Sequence, residues 1–247
     1  MNNINLLKYE IKKIIMSKKY FYMIFLVMAL TYDSLTRLIT GGYYGTAPFS
    51  EWSYTFFIQL TSPLVISVMI FMMTNIFNEK ELRARKILFS APISQGKYYL
   101  LKSTSIIVMF IITALIPIIM SFIYYKVLFN YNEFSTFIRP IALFFIPSFI
   151  FFLGLSMTLG KINIKLLYGL IPITFLLGTI DTTNILPQWL DIFGAHFLKI
   201  STFAELFGRE KEVMSLNIPN SFIYSRLTFI SLGILFLIYT CIKTEKE

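Results

Sequence analysis

Residues 54–77, YTFFIQLTSPLVISVMIFMMTNIF, run for 24 positions without a charged side chain. About 20 apolar residues in a helix cross the ~30 Å hydrocarbon core of a bilayer, so this stretch alone places the chain in a membrane. Further apolar runs follow near 103–125, 140–160, 166–180 and 222–242. Composition agrees: charged residues are 14%, Phe occurs 26 times, and mean hydropathy is +0.70. A water-soluble domain of 247 residues could not hide that much apolar surface, whereas lipid solvates it. The fold class this predicts is an all-α integral membrane protein forming one domain over 1–247.

Ahead of these runs, residues 1–19 hold an amphipathic helix. Ile4, Leu7, Ile11, Ile14 and Ile15 share one face, with Lys8, Lys12, Lys13 and Lys19 elsewhere. Such a helix lies in the interface plane with its lysines against anionic headgroups. The positively charged start of a signal peptide is the competing reading, and the lack of an A-x-A-like cleavage pattern argues against it. A first span over 20–39 is the weakest of six, because only Tyr20–Leu30 is strongly apolar. It takes in Asp33 and Arg37, one helical turn apart, as a candidate intramembrane ion pair. The alternative is a pair near the interface that neutralises itself.

Between the second and third spans lies a charged elbow, residues 78–102. Glu79 with Arg83 and Glu81 with Arg85 have the i,i+4 spacing and acid-first order that support a short helix. Pro92 stops it, and Ser94 is placed to cap the next helix, which rises through Lys97 and Lys102 into apolar sequence. Leu82, Ile87, Leu88 and Phe89 offer apolar anchors for a soluble partner, with Lys80 and Lys86 among them. The connector KINIK after the fourth span is too short for a domain. The segment 181–221 carries Pro187 and Pro219, a charged knot GREKE, and Thr202 with Glu205 as a capping box. Its piece LPQWLDIFGAHFL is equally compatible with a re-entrant dip and a surface helix.

Six spans put both termini on one side, and charge selects the side. Fifteen of the 22 Lys and Arg fall before the first span, in the elbow, in KINIK or in the tail. The positive-inside rule then makes those parts cytoplasmic. The net charge of +9 is thereby a topology signal, with no nucleic-acid partner implied.

Catalytic and nucleotide motifs are missing. His196 is the only histidine and Cys241 the only cysteine, which excludes two-histidine zinc patterns and a disulfide framework. GLSMT at 154–158 lacks the final Gly of a nucleophile elbow, and Ser156 with Gly160 reads as a small-residue packing ridge. Gly96-Lys97 is preceded by Ala91 where a phosphate loop needs Gly, and followed by Tyr98 where it needs Ser or Thr. Pro63, Pro117, Pro147 and Pro172 lie inside spans, either as bending points of a transport cycle or as the prolines common in membrane helices. The crowd of Phe144, Phe145, Phe149, Phe151 and Phe152 reads as core or lipid-facing bulk rather than a substrate cage.

This order of parts resembles the membrane subunit of a type 2 ABC exporter. In that family an interfacial helix precedes six spans, and a coupling elbow between spans two and three docks on a separate ATPase. Glu81, Leu88, Pro92, Ser94 and Lys102 stand where family members carry an acidic residue, a Leu, a Pro-x-Ser turn and a Lys. Two departures are the basic run RARK where a Gly is common, and Gln95 where an Arg is common. The resemblance implies that the elbow, Glu79 to Phe89 with Pro92, meets two cytoplasmic ATPase subunits. It further implies a second permease, identical or homologous, with ATP and Mg held by the partner and no cofactor on this chain. The cargo expected is hydrophobic or amphipathic: an antimicrobial peptide, an antibiotic or a lipid-like molecule. The competing expectation is an ATP-independent transporter or channel, which needs ionisable groups in mid-span that spans two to five lack away from their ends.

Overall fold

The computed structural model describes residues 3–37, 50–79, 81, 83, 95–179, 187–195, 197–198 and 218–243. These residues form seven α-helices and two short 3-10 turns, with no strand among them. In chain order the helices are α1 (Asn3–Ile15), α2 (Lys18–Leu35), α3 (Glu51–Met73), α4 (Gln95–Phe129), α5 (Ile138–Ile162), α6 (Ile164–Thr179) and α7 (Asn220–Lys243).

Four helices, α3, α4, α5 with the turn before it, and α7, are long and apolar enough to cross a membrane. The pair α1 and α2, bent by 60° at its break, supplies a fifth if taken as one span. The six expected spans therefore map unevenly. At 16 residues, α6 rises only about 24 Å, short of the hydrocarbon thickness. Conversely α4, with 35 residues, is about 52 Å long, so whole turns extend beyond the apolar run 103–125.

Local chemistry explains the breaks. Ser17 separates α1 from α2 as an N-cap in extended geometry, its Oγ accepting from Tyr20 N at 3.2 Å. The same hydroxyl donates to Ile14 O at 2.8 Å, stitching the bend. Ser50 caps α3 in the same way, accepting from Ser53 N at 3.1 Å. The KINIK connector shrinks to one extended residue, Asn163, whose Oδ1 accepts from Lys165 N at 2.9 Å.

The bundle is built round α3. Its apolar window is 83% buried, against 28% for α7, so α3 is the core and α7 an outer wall. Helices α2, α4, α5 and α6 all pack on α3, and α5 pairs most extensively with α7. In α2 only Tyr20, Val27, Thr31 and Leu35 are buried, with Met23 and Ile24 half-buried beside them, a narrow seam on an otherwise mostly exposed helix. Tyr20 Oη and Thr113 Oγ1, 3.0 Å apart, fasten that seam to α4.

Two glycine crossings set the closest approaches. A Cβ at Gly154 would stand 2.1 Å from Gly233 O, and one at Gly233 would stand 2.3 Å from Ile150 O. The backbones of α5 and α7 thus touch, and Thr158 Oγ1 with Thr240 Oγ1 adds a 3.0 Å hydrogen bond below. The expected ridge at Ser156 and Gly160 is also present: both are buried, and Gly160 lies under the Phe77 ring. Gly178 of α6 seats on Pro63 of α3. That proline leaves Gln59 O without its helical donor, and Ser62 Oγ contacts this oxygen at 3.4 Å. Of the phenylalanine crowd, Phe144, Phe145 and Phe152 are buried core, and Phe149 stacks on Phe110 at 3.9 Å.

Candidate functional site at the charged elbow

The elbow begins where α3 ends. Asn78 Oδ1 accepts from Glu81 N at 2.8 Å, turning the chain so that the Glu81 carboxylate faces the bundle. There Glu81 is only 8% exposed. Lys13 Nζ of α1 donates to its Oε2 at 2.6 Å. Lys102 Nζ and Tyr98 Oη of α4 both donate to its Oε1, the tyrosine at 3.2 Å. Lys102, 3% exposed, also donates to Glu10 Oε2 of α1 at 2.6 Å. Two carboxylates and two ammonium groups thus form one connected cluster tying α1, the start of the elbow and α4.

Burial alone would raise the Glu81 pKa, but Lys102 and Lys13 outweigh it and hold the carboxyl below its ordinary value. For Lys13, burial would lower the pKa, and the bond to Glu81 with its charge raises it instead. Buried ions survive only when paired and hydrogen-bonded, which this set achieves without help from lipid.

Sequence spacing pairs Glu81 with Arg85, whereas the structure gives Glu81 to Lys13 and Lys102. Turned inward, this carboxylate ties the start of the elbow to α1 and α4. The Glu79–Arg83 pair does form, at 3.8 Å with side chains 88% and 81% exposed, which leaves it weak. Lys80, Leu82, Arg85, Lys86, Ile87, Leu88, Phe89 and Pro92 lie outside the described residues, as do Ser94, His196, Thr202 and Glu205. Helix α4 begins at Gln95, directly after the expected cap.

Glu10, Lys13 and Tyr98 were not singled out by sequence as members of this site. Their signal is indirect: Lys102 opens a long apolar helix, and a lysine that enters a bundle requires an acid to meet it. Asp33 and Arg37 form a 2.9 Å ion pair with side chains 50% and 78% exposed at the end of α2. The two ions therefore pair with each other on the bundle surface.

A second buried ion stands at the other end of the bundle. Arg226 of α7 is 2% exposed and donates to Ile192 O and Asp191 O. Its guanidinium lies 4.1 Å from the Phe222 ring centroid, a cation–π contact. Asp191 Oδ1 accepts from Gly194 N at 2.8 Å and Ala195 N at 3.1 Å, and Ser148 Oγ donates to Ile192 O at 2.8 Å. Residues 187–198, so far as described, are therefore tucked against α5 and α7, with Phe193 and Leu198 buried and Trp189 exposed. Among the described residues no group of His, Cys, Asp and Glu could hold a metal ion.

No protein-family model, no curated protein and no solved structure matches this chain.

Proposed function

We propose that this chain is the membrane subunit of a type 2 ABC exporter, worked through its elbow by a separate cytoplasmic ATPase. The observation that carries the reading is the anchoring of Glu81 to both α1 and α4. A lever must be fixed at its base, and this one is fixed to the interfacial helix on one side and a long span on the other. Movement of the outer elbow would then displace α1 and α4 together. The exposed Glu79–Arg83 turn and the expected anchors Leu82, Ile87, Leu88 and Phe89 form the surface offered to the ATPase.

In this reading the chain crosses the membrane six times, with α2 and the short α6 as spans that are thin or tilted. Both termini and the elbow are cytoplasmic by the distribution of Lys and Arg. Two permease subunits and two ATPases make the complex, ATP and Mg sit on the ATPases, and the cargo is hydrophobic or amphipathic. The apolar, nearly charge-free faces of the long helices favour such cargo over a small ion.

Capture of the tagged chain from its native membrane, followed by mass spectrometry, tests the reading. An ATPase subunit carrying a phosphate-loop sequence should co-purify, and the complex should hydrolyse ATP. Recovery of intact chain without any ATPase, under detergents that preserve membrane complexes, would refute it.

A further inference from the structure

A half-open cavity of about 510 Å³ lies in the crook of the 60° bend between α1 and α2, roofed by the end of α3 and the start of the elbow. Its floor is the Glu10–Lys102–Glu81–Lys13 cluster, in which the four charges satisfy one another. The floor therefore has little use for a small cation, since both carboxylates are already taken. The rim is different. Lys18 and Lys19 project there from the first turn of α2, and neither has a carboxylate partner among the described residues. Lys19 reaches only the neutral Asn75 Oδ1, at 3.5 Å.

Two lysines at the start of a helix oppose its dipole, and no acidic residue offsets them in that turn. An anion placed between them reverses that penalty. The amides of Asn75 and Asn78 on the facing wall add neutral donors. The remaining wall is Ser17, whose hydroxyl is engaged in the bend, with the apolar Ile14, Met72 and Ile76. Further along α2, three and seven residues beyond Lys18, Phe21 and Phe25 are 69% and 68% exposed. A ligand suited to these surfaces has an anionic head of phosphate type and an apolar tail.

We infer that this cavity is a specific site for the phosphate headgroup of one anionic phospholipid, with its acyl chains lying along Phe21 and Phe25 of α2. A zwitterionic headgroup fits less well, because its ammonium would meet Lys18 and Lys19. This site does not depend on the transport reading, since it requires only that α1 and α2 meet the membrane surface. Bound lipid would brace the bend against the same cluster that holds Glu81.

Native mass spectrometry of the full chain, titrated with phosphatidylglycerol, phosphatidylcholine or inorganic phosphate, tests the site. One phosphatidylglycerol should bind saturably and ahead of phosphatidylcholine. The double substitution Lys18→Gln/Lys19→Gln should weaken that binding by roughly 30-fold, taking each lysine near an anionic lipid at its usual strength. Lys8→Gln/Lys12→Gln, on the outer face of α1, should change it by less than about twofold, and Lys18→Arg/Lys19→Arg should retain it. Equal losses in both glutamine pairs, or equal affinity for phosphatidylcholine, would overturn the site. Inorganic phosphate binding as tightly as the lipid would overturn the lipid assignment. In the unsubstituted chain, a headgroup-photoreactive phosphatidylglycerol should label residues 13–19 and 72–78, and labelling spread evenly over all helices would overturn the site as well.

Discussion

Lys13 Nζ lies 2.6 Å from Glu81 Oε2, joining α1 to an elbow residue 68 positions later. The same carboxylate meets Lys102, so Glu81 has two ammonium partners from two helices. Replacing it with Gln leaves Lys13 without its acid and Lys102 with Glu10 alone. Breaking a fully buried pair costs about 3–5 kcal/mol, and the half-exposed Lys13 together with the surviving Glu10 contact reduces that to roughly 1–3 kcal/mol here. Thermal unfolding in detergent should show Glu81→Gln clearly destabilised, while Glu79→Gln stays within about 0.5 kcal/mol. Equal effects at both positions would contradict the inward placement of Glu81.

The pH dependence follows from the same contacts. Because the folded-state pKa of Glu81 is lowered, its contribution is complete above the ordinary carboxylate value, about 4.3, and is lost as pH falls through the depressed value. Lys13, raised in the folded state, contributes fully below the ordinary lysine value, about 10.4, and loses that contribution as pH rises through the raised value. Stability from this cluster should therefore be level between the two limits. Glu81→Gln should flatten the acid limb of the unfolding profile; an unchanged acid limb would count against the assignment.

The contact of α5 with α7 rests on missing side chains. Gly154→Ala should force the helices apart and destabilise by about 1–3 kcal/mol, the usual range for overpacking. Gly169→Ala has open space around its Cβ and should be neutral or stabilising by up to about 1 kcal/mol, since alanine is the better helix former. Melting curves of the two variants, side by side, check the crossing.

Arg226 holds the carbonyls of Asp191 and Ile192. Arg226→Ala should destabilise by about 3 kcal/mol or more and speed hydrogen exchange at the Gly194 and Ala195 amides. Protection unchanged at those amides would show that the segment is held by its apolar contacts alone. By contrast Asp33→Asn, breaking an exposed pair, should shift stability by no more than about 0.5 kcal/mol.

Much of this architecture is legible in the sequence because hydropathy is a local property. The apolar run 54–77 announces α3, and the spacing of Leu7, Ile11 and Ile14 announces α1 with its inward face. Ser17 and Asn163 mark breaks that composition alone leaves vague. What was not legible is pairing across distance. Arg85 is the nearest base to Glu81 along a helix, yet Lys13 and Lys102 are the ones that the fold brings to it. Lysines counted as a topology signal turn out to be structural cations as well. Arg226, inside the apolar stretch FIYSRLTFIS, could have been flagged, because a charge in such a run needs partners that the run does not contain. The Gly154–Gly233 crossing depends on how two helices meet, which no single segment encodes.

The reading of the elbow as the part that an ATPase holds is tested most directly by a photo-crosslinking residue at position 83, where the side chain is 81% exposed. Irradiation in native membranes should yield an adduct with an ATPase subunit, while the same probe at position 127, 76% exposed in the native chain, should yield none. An expressed and folded chain that gives no ATPase adduct from position 83, or the same adduct from position 127, would contradict the account.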